Sequence, residues 1–201
     1  MTERGSYAKG VAKKNEILAV ALRLVAEKGY TNATLREIAE EVGLTKNGLL
    51  HHFGSKEALF AEILRSRDEL ARELYANVDG LQAFDSIADS ASRAAQTAGL
   101  VQLYARLSVE ASEHDHPAHA YFSRRYESLR KELSADFEYF SAAGRLREGL
   151  DPETCATLLI ASLDGLQTQW LYDPSMNMSD YVKRFLEMVG VSEQTDAAHA
   201  Q

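Results

Sequence analysis

The side chains best suited to chemistry lie between residues 42 and 56, and that chemistry is hydrogen bonding to a polyanion. This stretch contains no Asp or Glu, but it contains two lysines and two histidines. Asn47 can form two hydrogen bonds with adenine, and Lys46 can donate to O6 and N7 of guanine. Leu50 can contact the methyl group of thymine. These residue types therefore suit the recognition of base edges in duplex DNA.

Three motifs that are typical of enzymes are missing from the sequence. It contains no Gly-rich phosphate loop, no Gly-x-Ser-x-Gly nucleophile elbow and no His-Glu-x-x-His zinc motif. The single cysteine, Cys155, falls within an apolar helical pattern and is predicted to pack in a core. We therefore expect no enzyme activity and no cofactor.

A second cluster contains three histidines, His114, His116 and His119, beside Glu113. Three imidazoles and a carboxylate are a plausible set of zinc ligands. The run also crosses Pro117 between two predicted helices, where a solvated polar turn is the more common outcome. The sequence leaves both alternatives open, and we predict no bound metal.

Two short predicted helices position the base-reading side chains. Thr34 is a predicted N-cap, and Glu37 three residues later completes a capping box. Gly43 ends this helix, and Thr45 is the predicted N-cap of the next one. Two short helices joined by a tight, glycine-initiated turn form a helix-turn-helix, which we place at about 34–53.

Apolar residues recur at helical spacing through most of the chain, and no alternating strand pattern is present. We therefore predict an all-α fold of about nine helices. After a break near Asp79-Gly80, the predicted helices lie at about 83–97, 100–112, 117–143 and 152–172, followed by a last helix before residue 190.

Charge divides the 201-residue chain, whose net charge is −8. Residues 1–65 carry ten Lys or Arg against eight Asp or Glu, a balance of +2. Residues 66–201 carry 12 against 22, a balance of −10. The second part therefore repels a polyanion, and only the first part tolerates one.

Composition also predicts the compartment. One cysteine excludes an internal disulfide, and the polar first sixteen residues do not form a secretory signal. The longest apolar run is roughly six residues, far shorter than a membrane span. We expect a cytoplasmic protein that does not bind membranes.

One group of residues within 13–64 matches a known family pattern. It consists of Thr34, Ile38-Ala39, Val42-Gly43-Leu44-Thr45, Leu49, His52-Phe53 and Ser55-Lys56-Glu57-Ala58-Leu59. On these residues the chain resembles the TetR family of bacterial transcriptional regulators. Asp164-Gly165-Leu166-Gln167, followed by Asp173-Pro174, is similar to the penultimate helix of many members.

The resemblance implies a homodimer that binds double-stranded DNA at a palindromic operator, usually as a repressor, and leaves it when a small effector binds. It implies a DNA-binding domain at 1–60 and an effector-binding and dimerisation domain at 61–190. The small, polar residues at the end of the chain predict a disordered tail at 191–201. The effector and the operator are not identified. The implied DNA contacts are Thr34, Arg36, Thr45, Lys46, Asn47, Gly48, Leu50, His51, His52 and Lys56.

Two departures from the family pattern concern the operator. Leu50 stands where a tyrosine is usual, and Asn47-Gly48 stands where a small residue and Thr or Ser are common. The binding mode is retained, but the operator sequence does not carry over from the family.

The family analogy also assigns residues to an effector pocket among the long helices. Because aromatic residues at helical spacing are more often core, packing is the alternative for each of them. The candidate wall residues are Tyr104, Phe122, Tyr126, Phe137, Phe140, Gln167 and Trp170, with Arg106 and Glu110 as polar contacts.

The helix predicted at 152–172 is apolar or small nearly all round, which indicates burial on two sides. We expect it to form half of an intersubunit four-helix bundle with the last helix; a central helix of a monomer is the alternative. The predicted interface residues are Leu158, Leu159, Ser162, Leu163, Gly165, Leu166, Tyr181 and Phe185. An all-helical interaction module without sequence-specific DNA binding is the alternative function.

Overall fold

The computed structural model describes residues 3–75, 81–95 and 97–191 of the chain. Within these ranges it contains nine helices and no strands, which confirms the all-α prediction. The helices are α1 (Glu3–Asn32), α2 (Leu35–Glu41), α3 (Lys46–Phe53), α4 (Lys56–Tyr75), α5 (Leu81–Ala95), α6 (Ala98–Glu110), α7 (His119–Ala142), α8 (Pro152–Trp170) and α9 (Met178–Val189).

The chain packs as two compact units. The first unit comprises residues 1–70 and 97–121, and the second comprises residues 71–96 and 122–201. Helix α6 and most of α4 therefore belong to the same packing unit as the helix-turn-helix. The functional division expected after residue 60 stays a prediction, because packing alone does not test it.

The core of the first unit is built on the crossing of α1 and α6. Leu24 and Val25 of α1 and Leu103 and Leu107 of α6 are all buried. A Cβ atom on Gly99 would lie 1.9 Å from the carbonyl oxygen of Val25, far inside van der Waals contact. Only glycine therefore permits this crossing.

The second unit has an aromatic core and a docked terminal helix. The ring of Phe84 in α5 lies 4.7 Å from that of Phe137 and 5.6 Å from that of Phe140, both in α7. Helix α9 packs against α5 and α8. The backbone N–H of Arg147 donates to the carbonyl of Val189 at 2.9 Å and ties the α7–α8 loop to the end of α9.

Two sequence predictions fall at the limits of the described ranges. The break near Asp79-Gly80 lies outside the described residues, as does the tail from residue 192 onward. Val191, the first residue of the predicted tail, is described and buried, and its N–H donates to the carbonyl of Leu186 at 2.8 Å. In the described part of the chain, no helix combines the length and apolar character that crossing a bilayer requires.

Candidate nucleic-acid interface

Helix α2 begins with the predicted capping box. The Thr34 hydroxyl accepts the backbone N–H of Glu37 at 3.2 Å, and the Glu37 carboxylate accepts the backbone N–H of Thr34 at 3.3 Å. A hydrogen bond from Lys28, followed by those from Thr34, lowers the pKa of Glu37. The turn after α2 closes through a 2.8 Å bond from the N–H of Leu44 to the carbonyl of Ala39.

Helix α3 presents its first turn to solvent. The Thr45 hydroxyl caps it by accepting the N–H of Gly48 at 3.0 Å, while Leu49 is fully buried and anchors the helix. The first turn carries no acidic residue. Four of the predicted DNA contacts on this helix are exposed, and two are half-buried: Lys46, Asn47, His51 and His52 are exposed, whereas Gly48 and Leu50 are half-buried.

Arg36 lies on the exposed face of α2 beside these residues in sequence, but its charge is already paired. Its Nε donates to Glu40 at 2.8 Å, and 83% of its side chain is exposed. Exposed ion pairs of this kind contribute little free energy. A DNA phosphate can therefore compete with Glu40 for the guanidinium group.

Lys56 is the first residue of α4, and its ammonium group is held in place. The preceding Ser55 caps the helix, since its hydroxyl accepts the N–H of Ala58 at 3.0 Å. The Lys56 ammonium lies 5.2 Å from the ring centroids of both Tyr30 and Phe60. It also donates to the carbonyl oxygen of Tyr30 at 3.5 Å. The group that we predict to contact phosphate is therefore half-buried against two aromatic rings.

Two of the predicted pocket residues, Arg106 and Glu110, contact the end of α1. The Tyr30 hydroxyl donates to Glu110 at 2.9 Å, and Arg106 donates to the Thr31 hydroxyl at 2.8 Å. Arg106 and Glu110 are exposed at the end of α6 and contact the end of α1, instead of facing a cavity as predicted. Their spacing of four residues on one helix face was visible in the sequence, but the partner of that face was not.

The other predicted pocket residues separate into two groups. Tyr104 is buried in the first unit, whereas the remaining six lie in the second. Phe137 and Phe140 are fully buried against Phe84 and form core, as in the packing alternative. Phe122 and Trp170 are also buried, and Tyr126 and Gln167 are half-buried.

A cleft of about 260 Å³ lies in the first unit between α1 and α4. Its volume is slightly below the usual range for small-molecule sites, and it contains none of the predicted wall residues. Its lining residues are Asn15, Leu18, Ala19, Leu22, Ile63, Ser66, Arg67 and Leu70.

Helices α8 and α9 expose apolar side chains in the second unit. Leu158 is 50% exposed and Tyr181 is 55% exposed, while Met188, which sequence reasoning missed, is 60% exposed. Leu159, however, is fully buried within the protomer, which places it in the core and corrects its assignment to the interface. The other predicted interface residues are half-buried: Ser162, Leu163, Gly165, Leu166 and Phe185.

The histidine cluster forms contacts within its own loop. Nδ1 of His114 and Nε2 of His119 lie 3.2 Å apart, and Nδ1 of His119 lies 2.9 Å from the carbonyl oxygen of Ala111. His116 accepts the backbone N–H of Ala118 at 3.1 Å. Among the residues that the structure describes, no group of three or more His, Cys, Asp or Glu side chains is arranged to hold a metal ion.

Comparison with known families accounts for most of the chain. Residues 17–63 match the bacterial regulatory proteins of the tetR family, and residues 87–189 match the C-terminal domain of BetI-type transcriptional repressors. The chain belongs to the TetR family. The members of this family are DNA-binding transcriptional regulators, not enzymes, and the matched residues 17–63 include α2 and α3.

Individual relatives of this TetR-family chain agree with the assignment. It is 25% identical over 158 residues to the HTH-type transcriptional repressor AcnR of Corynebacterium jeikeium, covering 77% of this chain and 79% of that protein. Two solved structures share its fold. A TetR-family regulator from Agrobacterium tumefaciens is 20% identical with a TM-score of 0.69, covering 90% of this chain and 99% of its own. A transcriptional regulator from Saccharomonospora viridis in complex with choline is 21% identical with a TM-score of 0.67, covering 90% and 98%.

Proposed function

We propose that this chain is a ligand-responsive repressor that binds a palindromic operator as a homodimer. The observation that supports this most directly is the first turn of α3. Lys46 and Asn47 are exposed there on a helix that Thr45 caps and Leu49 anchors, with no acid in the turn. Such a turn suits entry into the major groove, where amide and ammonium donors distinguish base pairs.

Phosphate contacts complete the proposed interface. Thr34, Arg36, His52 and Lys56 hold the backbone, while Lys46, Asn47 and three neighbours on α3 reach the base edges; these neighbours are Gly48, Leu50 and His51. With roughly six to eight phosphate contacts per dimer, log K should fall with log salt at a slope of about −5 to −7. A flat salt response would contradict this.

Dimerisation is proposed to use the exposed apolar faces of α8 and α9. Leu158, Tyr181 and Met188 are each at least half exposed in the single chain. Pairing these faces across a two-fold axis removes apolar area from water and presents two copies of α3. The two copies then suit half-sites one helical turn apart, roughly 34–36 Å.

The effector is proposed to bind in the second unit and to be a small organic cation. The Tyr126 hydroxyl donates to the Asp164 carboxylate at 2.7 Å, and the Phe122 ring lies 6.4 Å from that of Tyr126. Aromatic faces together with a carboxylate favour quaternary ammonium groups. The choline bound by the Saccharomonospora regulator is an effector candidate of this class. Thermal unfolding in the presence of choline or larger quaternary ammonium compounds tests this assignment, and no shift with any of them would refute it.

Selection of genomic DNA fragments on the purified protein tests the proposed function. A cytoplasmic repressor of this kind enriches a palindromic sequence from the genomic fragments. Replacing Lys46 by Ala weakens DNA binding without changing the fold or the oligomeric state. Lys131→Ala on α7 is a matched control, because Lys131 is an exposed lysine outside the helix-turn-helix. Recovery of no palindrome, with an intact dimer, would favour the interaction module instead.

A further inference from the structure

The end of α1 forms a corner that both α4 and α6 contact. We define this corner as residues 29–31. Gly29 interrupts α1 with φ of +78°, a conformation that favours glycine. Its backbone is also approached closely by Gln102, whose Oε1 lies 2.5 Å from the position of a Cβ on Gly29. The corner is therefore packed directly against α6.

The Tyr30 side chain connects α6 to the middle of the corner. Tyr30 is 9% exposed, and its ring packs edge-on against Phe60 with centroids 5.4 Å apart. Its hydroxyl, at the far end of the ring, donates to Glu110 at 2.9 Å. Burial, followed by the hydrogen bond to Glu110, raises the pKa of Tyr30 well above its usual value. The hydroxyl therefore remains a donor throughout the physiological pH range.

The same ring also supports Lys56. The Lys56 ammonium lies 5.2 Å from the Tyr30 ring centroid, and it donates to the Tyr30 carbonyl oxygen at 3.5 Å. A lysine side chain is flexible and has many rotamers, so contacts with a fixed ring and a fixed carbonyl restrict where its charge lies. Glu110, Tyr30 and Lys56 thus form one continuous series of contacts from α6 to the start of α4.

We infer that Glu110 and Tyr30 are positioning residues for DNA binding, which hold the Lys56 ammonium where it meets an operator phosphate. The inference rests on the proposed function, because it concerns one contact of the proposed interface. Glu110 fixes the ring through the hydroxyl, and the ring fixes the ammonium. Neither residue needs to contact DNA. A lysine positioned in advance loses less conformational freedom when it binds phosphate.

Operator affinity measured over a range of salt concentrations tests this series. Lys56→Met should make the salt slope shallower by about 1.8 units per dimer, since each lost phosphate contact removes about 0.9. Tyr30→Phe and Glu110→Ala should each weaken operator binding roughly 3- to 10-fold. Each should also make the salt slope shallower, by a fraction of the change expected for Lys56→Met. Glu110→Gln keeps a hydrogen-bond acceptor and should bind within about 2-fold of wild type.

A second comparison separates positioning from general stability. Tyr121→Phe is the matched control, because the Tyr121 hydroxyl also donates to a carboxylate of the same unit, Asp68, at 2.6 Å. Asp68 lies twelve residues along α4 from Lys56, roughly 18 Å at 1.5 Å per residue. This control should lower the melting temperature by about as much as Tyr30→Phe and leave the salt slope unchanged.

The double variant Tyr30→Phe, Lys56→Met gives the decisive result. If Tyr30 acts through Lys56, the double variant binds no more weakly than Lys56→Met alone. Additive losses of operator affinity in the double variant overturn the inference while the proposed function stands. The same holds if the single variants change the melting temperature but change neither operator affinity nor the salt slope. A wild-type protein that enriches no DNA overturns both.

Discussion

Substitution of Gly99 by Ala should destabilise the first unit, because the new methyl group has no space at the α1–α6 crossing. Its Cβ would lie 1.9 Å from the Val25 carbonyl oxygen, 2.9 Å from the Val25 carbonyl carbon and 3.1 Å from Cα of Ala26. All three are backbone atoms, so no side-chain rotation relieves the overlap. Restoring an ordinary contact of about 3.2 Å requires the helices to separate locally by roughly 1 Å or more.

The size of the effect follows from this geometry. Overpacking a core costs about 1–3 kcal/mol, and a collision with backbone belongs at the upper end of that range. For a chain of about 200 residues, each kcal/mol lowers the melting temperature by roughly 2–4 °C. We therefore expect Gly99→Ala to melt about 4–12 °C below wild type.

Thermal unfolding followed by circular dichroism measures this difference in melting temperature. All variants are compared at one protein concentration, because the proposed dimer makes the melting temperature concentration-dependent. Gly10→Ala in α1 is the matched control, since nothing lies within 4 Å of its added Cβ. It should be neutral or slightly stabilising, because Ala favours a helix over Gly. A Gly99→Ala variant that melts within about 1 °C of wild type would refute the reasoning.

Three further predictions concern the proposed DNA-binding helix, the proposed dimer and the pH response. Asn47→Ala should cost about 1–3 kcal/mol of operator-binding free energy and relax specificity at one base pair. Fluorescence anisotropy on operators with single base-pair substitutions measures both effects. A loss of affinity that is the same for every substituted operator would contradict direct base contact. Leu158→Glu should convert the proposed dimer to a folded monomer, as measured by light scattering. Tyr139→Glu, at a residue 61% exposed on α7, should leave the oligomeric state unchanged. A dimeric Leu158→Glu variant would argue against the α8 face. Asp151 caps α8 by accepting the N–H of Thr154 at 2.9 Å. A hydrogen bond from the Thr154 side chain, followed by this backbone bond, lowers the pKa of Asp151 below its ordinary value of 3.8. The stabilising effect of this carboxylate is thus present above about pH 4 and is lost as pH falls through the lowered pKa. The melting temperatures of wild type and Asp151→Ala should therefore differ at pH 7 and converge near pH 2. A difference that stays constant with pH would refute this.

Local chemistry explains which parts of the fold the sequence could predict. Helix starts depend on side chains within three residues of the cap, so Thr34 and Thr45 marked two of them correctly. The exposed first turn of α3 was predictable for the same reason, since its anchoring residue lies only a few positions away.

Long-range packing explains what could not be predicted. Periodicity shows that one face of a helix is polar, but it does not show which element that face meets. Arg106 and Glu110 were therefore assigned to a pocket, although they contact Tyr30 and Thr31, some 75 to 80 residues earlier in the chain. Leu159 was assigned to the wrong side of α8, because a helix that is apolar nearly all round does not distinguish the protomer core from an outer face.

The discontinuity of the first unit limits how this regulator can be recombined. A fragment that stops before Thr97 omits α6 and leaves Leu24 and Val25 of α1 without their covering helix. Grafting the N-terminal segment onto the sensor domain of a different regulator would therefore fail unless that domain supplies a helix like α6. This helix needs a glycine at the position of Gly99 and polar side chains at the positions of Arg106 and Glu110. Chimeric regulators built from this chain should keep residues 97–121 together with residues 1–70, and exchange only what remains.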